Sequence, residues 1–489
     1  MTQQESAAHQ DLAGVETRLL VGGEWRDAED GATFEVLDPA DGSVLARVAD
    51  AGTGEALEAL DAAAAAQAEW AATAPRKRGE LLRAAYEAVN ARADEFARVI
   101  SLEMGKPLAE ARGEVVYGNE FLRWFSEEAV RVHGRWMENP AGGSRMLTMK
   151  KPVGPCFFIT PWNFPLAMGT RKIGPALAAG CTVVVKPASQ TPLTMLLLAQ
   201  VLQEVGVPPG VVNVVTTTSS REVGEALMGD ERLRKVSFTG STPVGRGLVK
   251  QSAEHLQRVS MELGGNAPFV VFADADLDAA VDGAMVAKMR NMGEACTAAN
   301  RFLVHADVAD EFAARLAERM GSLTVGRGQD EGVDVGPLID EDAVSSVSQL
   351  VTDAVHGGAK VLTGGTPPEG AGWFYPPTVL LDVPDGAEIT REEIFGPVAP
   401  ITRFTEEEEA VRAANSSEYG LVAYVWTRDL ARSLRVSEAL EFGMVGLNTG
   451  IVSNAAAPFG GVKASGFGRE GGFEGIEEYL DTTYVAIPL

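Results

Sequence analysis

The sequence predicts an α/β protein built on two successive sheets, and three observations lead there. From Val153 onward short apolar runs alternate with helical stretches, the pattern of βαβ units wound into a parallel sheet. A second series of the same kind begins at Phe269. The chain has 489 residues, and at roughly 100–200 residues per domain it holds two to four domains or a pair of large ones, each long enough for a real core.

Taken in order, residues 51–69 and 75–104 read as helices rich in Ala, Leu and Glu, with apolar positions every three or four residues. They carry no evident chemistry. Residues 131–150, centred on Asn139-Pro140-Ala141-Gly142-Gly143, read as a hairpin. Strands are expected over 153–160, 182–185, 211–215 and 236–239. The second series gives a strand at 269–272, a helix over 277–292, a strand at 301–305 and a helix over 308–323. The final residues, 482–489, alternate like a strand. Hairpin and final strand fit neither series, and both an arm that pairs with a neighbouring subunit and an edge strand inside the monomer suit them.

With 68 acidic against 42 basic residues the net charge is -26, which disfavours nucleic acid and anionic membranes as partners. An anionic small molecule then needs basic side chains concentrated in one pocket, so single Arg and Lys residues beside motifs gain weight; solubility alone is the other reading of the acidity. Cys156, Cys181 and Cys296 are too few and scattered for a disulfide framework, and a reducing, cytoplasmic setting fits. The start of the chain, with Glu5 and Asp11, has neither a basic leader nor an apolar core, and no run of about 18 apolar residues occurs. Neither a signal peptide nor a membrane span is expected. The five histidines are widely separated, so no metal site is expected.

Four places could carry chemistry. The strand at 236–239 runs through Gly240-Ser241-Thr242-Pro243-Val244-Gly245 into a helix, where backbone donors can meet a phosphate. The loop lacks the Walker A ending, since Arg246-Gly247 stands where Lys-Ser/Thr belongs, and an ordinary strand-to-helix turn is the alternative. Lys186 ends the 182–185 strand, the edge at which open α/β sheets bind ligands, although a lone Lys there is usually solvated. Cys296 lies in the polar segment Gly293-Glu294-Ala295-Cys296-Thr297, the setting of a reactive thiol, whereas the other two cysteines adjoin apolar runs. Glu262 lies in Ser260-Met261-Glu262-Leu263-Gly264-Gly265-Asn266, apolar enough to raise its pKa toward general-base work. An inert cysteine and a surface carboxylate are the plain alternatives.

Together the motifs resemble the NAD(P)-dependent aldehyde dehydrogenases. The resemblance spans nearly the whole chain: Pro161-Trp162-Asn163-Phe164-Pro165, Lys186-Pro187-Ala188, Phe238-Thr239-Gly240-Ser241-Thr242 with Gly245, Glu262-Leu263-Gly264-Gly265-Asn266, Cys296, and Glu392-Glu393-Ile394-Phe395-Gly396-Pro397, all in family order. It implies a Rossmann-like cofactor domain over residues 1–130 and 151–263, an α/β catalytic domain over 264–465, and a small β oligomerisation arm from 131–150 and 480–489, in a homodimer or homotetramer. It also implies roles. Cys296 attacks the aldehyde to form a thiohemiacetal and then a thioester; Asn163 and the Cys296 N–H hold the oxyanion; Glu262 activates the hydrolytic water. Lys186 and Glu393 bind ribose hydroxyls, Trp162 and Phe395 flank the cofactor, and Gly240, Ser241 and Gly245 lie near the pyrophosphate.

Within the family the chain is most similar to succinate-semialdehyde dehydrogenases, with Arg171, Arg290 and Ser453 matching the positions that hold the substrate's distal carboxylate. Arginines suit that task because a guanidinium can pair with both carboxylate oxygens. A glutarate-semialdehyde enzyme would use the same clamp one methylene further out, a difference worth only ~1–3 kcal/mol. A CoA-acylating relative and a non-catalytic binding protein on the same fold are the other readings, and Asn163, Glu262 and Cys296 together speak against the last. Three departures stand out. Glu294 replaces a frequent Gln and either raises the Cys296 pKa or points away; Ala298 removes a second cysteine; and Ser189 stands where NAD-preferring members commonly have Glu, so NADP is the expected cofactor with NAD possible.

Overall fold

The computed structural model describes residues 12–489; the leader read at Glu5 and Asp11 lies outside them. Five parallel strands form the middle of the first sheet, in the spatial order Val212–Val214, Val183–Lys186, Cys156–Ile159, Lys235–Thr239 and Arg258–Glu262. In chain order this is 3-2-1-4-5. The winding therefore reverses between Cys156–Ile159 and Lys235–Thr239, and open α/β sheets bind ligands beyond the carboxyl ends of the strands at such a reversal. Antiparallel strands close both edges: Leu19–Val21 with Glu24–Arg26 on one side and Gly466–Phe467 on the other. The central strands read as unbroken apolar runs because helices cover both faces, leaving Val183, Val184 and Val185 wholly buried.

The helical reading of 75–104 needs correcting. Two helices form, Pro75–Ala91 and Ala93–Met104, because Arg92 leaves the helical region (φ -108°, ψ 20°). No Pro or Gly announces the break. It lets Leu82 and Val89 of one helix and Phe96 and Ile100 of the other enter the same core, while the Arg92 guanidinium bonds Glu95 beyond the bend.

Six parallel strands make up most of the second sheet, ordered Thr378–Leu381, Val398–Phe404, Ala299–His305, Ala267–Val271, Val422–Trp426 and Met444–Leu447, with Lys360–Thr363 antiparallel at one edge. The helix expected over 277–292 stops at Met289; Arg290–Gly293 form a tight turn in which Asn291 (φ 55°) and Met292 (φ 57°) are left-handed. A continued helix would have carried Arg290 and Cys296 past each other, whereas the turn folds the chain back toward the first sheet.

The hairpin and the C-terminal strand find each other. Leu480–Pro488 pairs antiparallel with Ser144–Pro152 over nine residues, and Arg135–Glu138 flanks the latter, giving a separate three-stranded sheet. The final strand is thus satisfied within its own chain.

Candidate active site

Only Leu263, Gly264, Gly265 and Asn266 separate the end of Arg258–Glu262 in the first sheet from the start of Ala267–Val271 in the second. The carboxyl edge of one sheet therefore faces the amino edge of the other. Cys296 sits just ahead of Ala299–His305 at that amino edge, and a Cβ on Gly265 would stand 2.3 Å from the Cys296 carbonyl oxygen. Only glycine allows the two segments this contact.

A cavity of about 240 Å³ opens there, lined by Asn163, Glu262 and Cys296 together with Thr239, Glu393 and Phe395 among others. Four separate stretches of sequence meet in it, around 161–168, 239–264, 296 and 393–395. Asn163 is buried, and its Nδ2 donates one bond, 3.0 Å long, to the Glu294 carbonyl, which leaves its second N–H free. Both carboxylate oxygens of Glu262 and the Thr239 hydroxyl are buried without a protein partner, a condition native interiors rarely tolerate outside binding sites. Burial first, and then the charge of Glu470, push the Glu262 carboxyl well above its usual range, against Arg171 and Lys172.

Cys296 keeps the contrast the sequence drew, half-buried where Cys156 and Cys181 are wholly buried, but its surroundings correct one step. Its segment is polar in composition but buried in space, since Gly293, Glu294, Ala295 and Thr297 are all covered. That burial pushes the thiol up to about 12; Arg171 and Arg290 oppose the rise, and Glu393 and Glu262 add to it. The resting group is a thiol, so its reactivity depends on a base. Glu294 points away from it, its Oε1 accepting the Ile339 N–H at 3.0 Å.

The residues expected on the cofactor side gather at the sheet reversal. Trp162 and Phe395 line the cavity with their rings edge-to-face, centroids 5.6 Å apart. Glu393 accepts the Gly265 N–H at 3.1 Å, and burial raises its carboxyl to about 7, with Lys288 pulling the other way. Gly240 and Ser241 line the cavity where the helix Thr242–Ser252 begins, and the Ser241 side chain makes no cap bond to that helix, so the first-turn donors stay open. Gly245 faces inward instead: a Cβ there would lie 2.4 Å from Leu263 Cδ2, so its smallness serves helix-to-sheet packing. At the far end Lys186 donates to the Ser220 hydroxyl and the Pro187 carbonyl, both at 3.1 Å, and burial lowers its pKa to about 8. Ser189 is half-buried beside it. Ser220, a helix-start residue without a motif, gave no signal in the sequence.

On the other side of Asn163 lies a larger cavity of about 960 Å³, lined by Tyr117, Phe164, Arg290 and Ser453 among others. Arg290 donates to the Ser453 hydroxyl at 3.2 Å and stacks between the Tyr117 and Phe164 rings, 5.2 and 5.1 Å from their centroids. Arg171 does not join them. It is buried on the inner side, paired with Glu470 at 2.7 Å and lying 3.9 Å over the Phe459 ring, with its Nε unpaired. Lys172 donates to the same Glu470 at 2.5 Å and to Ser237 at 3.0 Å. The sequence reading missed this buried cluster because Glu470 lies 298 positions away from Lys172. Among the described residues no group of His, Cys, Asp and Glu could hold a metal, and no helix is long and apolar enough to cross a membrane.

Residues 25–485 match the model of the aldehyde dehydrogenase family. A succinate-semialdehyde dehydrogenase of Paenarthrobacter nicotinovorans is 61% identical over 444 residues, covering 91% of this chain and 99% of that protein. A glutarate-semialdehyde dehydrogenase of Pseudomonas putida is 50% identical, covering 96% of this chain and 97% of its own length. In structure, an NADP-dependent enzyme of E. coli superposes with a TM-score of 0.96 at 49% identity, over 97% of this chain and 98% of that one. A fold that places a cysteine, a raised glutamate and an asparagine amide in one cavity at a sheet reversal, matched from end to end by these proteins, assigns the chain to the aldehyde dehydrogenase family.

Proposed function

We propose that this chain oxidises succinate semialdehyde to succinate with NADP, through a thioester on Cys296. The reading is carried by one observation: the cavity shared by Cys296, Glu262 and Asn163 has cofactor-side residues on one flank and, on the other, Arg290, which has no carboxylate partner among the described residues. The relative at 61% identity is a succinate-semialdehyde dehydrogenase, which supports the substrate.

The residues present fit a nicotinamide dinucleotide: a cavity-lining carboxylate at Glu393, open donors at the start of Thr242–Ser252 and a buried ammonium at Lys186. NADP bound there supplies the hydride acceptor. Glu262 takes the thiol proton, directly or through water, and the sulfur adds to the aldehyde carbon. The free N–H of Asn163 and the backbone N–H of Cys296 hold the oxygen as it becomes an anion. Once that carbon stands at the acid level and Glu262 has passed the thiol's proton to solvent, Glu262 takes a proton from water, the hydroxyl adds, and the carbon–sulfur bond breaks as the sulfur takes that proton from Glu262, which releases succinate and restores the thiol. Arg290 and Ser453 hold the distal carboxylate, while Arg171 stays paired with Glu470. Ser189 offers a neutral donor where a glutamate would repel a ribose phosphate, and Lys186 supplies positive charge. The three-stranded arm, with Trp136 and Tyr484 exposed, pairs subunits into a dimer or tetramer, and the enzyme works in the cytoplasm.

Initial rates with succinate and glutarate semialdehydes and unbranched aldehydes, each with NAD and NADP, test this. Succinate semialdehyde with NADP is expected to give the highest kcat/KM, without any need for CoA. An uncharged aldehyde of equal length performing as well defeats the clamp, and glutarate semialdehyde ranking first moves the assignment one methylene outward. Ser189→Glu should cut kcat/KM for NADP and spare NAD; an unmoved NADP-to-NAD ratio places the ribose phosphate elsewhere.

A further inference from the structure

The two oxyanion donors come from different sheets. Asn163 follows Cys156–Ile159 in the first, and Cys296 precedes Ala299–His305 in the second. Their spacing matters because a misplacement of about 1 Å can cost on the order of 100-fold in rate. We infer that Asn291, backed by Lys106, is the positioning residue that sets this spacing.

Asn291 is fully buried and left-handed, at φ 55° and ψ 35°, a conformation that asparagine tolerates better than most side chains. The bend takes the chain off the end of Leu277–Met289 and aims the carboxamide at two carbonyls. Its Nδ2 donates to the Glu294 carbonyl at 2.8 Å and to the Asn163 carbonyl at 3.1 Å. The Asn163 side chain donates to that same Glu294 carbonyl at 3.0 Å. Three bonds thus close a knot between the segment bearing the Asn163 amide and the peptide one residue ahead of the Cys296 N–H. Both hydrogens of the Asn291 amide are used, and its own backbone N–H donates to Glu110 Oε2 at 3.2 Å.

Lys106 holds the knot from behind. Its ammonium is buried, donates to the Asn163 carbonyl at 2.8 Å and to Glu114 Oε2 at 2.6 Å, and lies 4.2 Å from the Phe164 ring centroid. The other oxygen of Glu114 accepts the N–H groups of Leu166 and Ala167 at 2.9 and 3.2 Å. The segment from 163 to 167 is therefore fixed at three backbone atoms.

The inference rests on Asn163 and the Cys296 N–H being the oxyanion donors, and the test separates the two ideas. Asn291→Gly keeps the left-handed backbone and removes the amide. It is expected to lower kcat for succinate semialdehyde about 10- to 100-fold with the KM values for aldehyde and NADP within threefold. Alkylation of Cys296 by iodoacetamide should stay within twofold, because displacement of iodide at a saturated carbon builds no oxyanion. A kcat within threefold of the unmodified enzyme overturns the inference, and so does alkylation that slows in step with kcat, since the thiol itself would then have moved. Lys106→Met with Glu114→Gln removes the pull on the Asn163 carbonyl without stranding a buried charge, and keeps an acceptor for Leu166 and Ala167. It should show the same split at about 5- to 10-fold, and it carries the test if Asn291→Gly does not fold. Asn163→Ala is measured alongside: a normal kcat there removes the donor reading itself, and the clamp with it.

Discussion

Arg171 and Arg290 both lie over aromatic rings beside the same cysteine, yet the two halves of the site that they occupy handle charge in opposite ways. On the inner side Arg171 already has its carboxylate, Glu470, and shares it with Lys172. On the outer side Arg290 has only the Ser453 hydroxyl and two rings, and no carboxylate stands within ion-pair distance of it among the described residues. A guanidinium paired inside the fold keeps its charge and direction whatever is bound, whereas one partnered by a neutral hydroxyl gains its anion with the substrate. On the function proposed above, the inner half sets the chemistry for any aldehyde and the outer half selects among them.

The comparison can be broken most directly at the inner groups. Cys296→Ala should abolish oxidation of charged and uncharged aldehydes alike, and Glu262→Gln should slow the first release of reduced cofactor as well as every later turnover in a rapid-mixing trace, because the same carboxylate takes the thiol proton and then activates the hydrolytic water. Steady turnover in the Glu262 variant would place the base elsewhere.

The two arginines come next. Arg290→Ala should raise KM for succinate semialdehyde by the equivalent of about 2 kcal/mol or more, roughly 30-fold, and leave that for an uncharged aldehyde of similar length nearly unchanged. Arg171→Ala should lower folding stability by about 3–5 kcal/mol, since it leaves buried Glu470 short of a partner, and a thermal melt reads that difference. If both variants melt like the unmodified enzyme and lose only the charged substrate, the division into halves is wrong.

The pH profile sharpens the same point. Only ionised Glu262 can take a proton, and burial holds its carboxyl well above the usual range, so kcat should still climb with pH above the range where ordinary carboxyls have already ionised. The positive charge of Arg171 lowers both Glu262 and Cys296, whereas Arg290 lowers Cys296; removing Arg171 should therefore shift the profile to higher pH by more than removing Arg290. A profile flat from pH 6 to 9 would show that proton removal does not limit the rate.

Smallest is Ser453→Ala. Losing one hydrogen bond of about 1 kcal/mol should raise KM for succinate semialdehyde about fivefold, through a looser Arg290. No change would leave Arg290 held by its rings alone.

The strands and their chemistry were legible in the sequence because each motif is local. Apolar runs bounded by polar turns gave Val183–Lys186 and Lys235–Thr239 to within a residue, and the order of Asn163, Lys186, Glu262, Cys296 and Glu393 was enough to assign the family. What the sequence could not carry was partnership across long separations. The break at Arg92 has no Pro or Gly to mark it, and the left-handed turn at Asn291 and Met292 follows an unbroken helical pattern; both are imposed by what the neighbouring segments pack against. Cys296 read as a reactive thiol because its neighbours are polar, but tertiary packing buries those neighbours, leaves Cys296 half-buried and raises its thiol. Arg171 and Arg290 were alike as letters. Glu470, brought to Arg171 by the chain's return to the first sheet at Gly466–Phe467, made one of them internal and left the other facing the cavity, because the charge state and freedom of a side chain are set by the groups the fold places within a few ångströms of it.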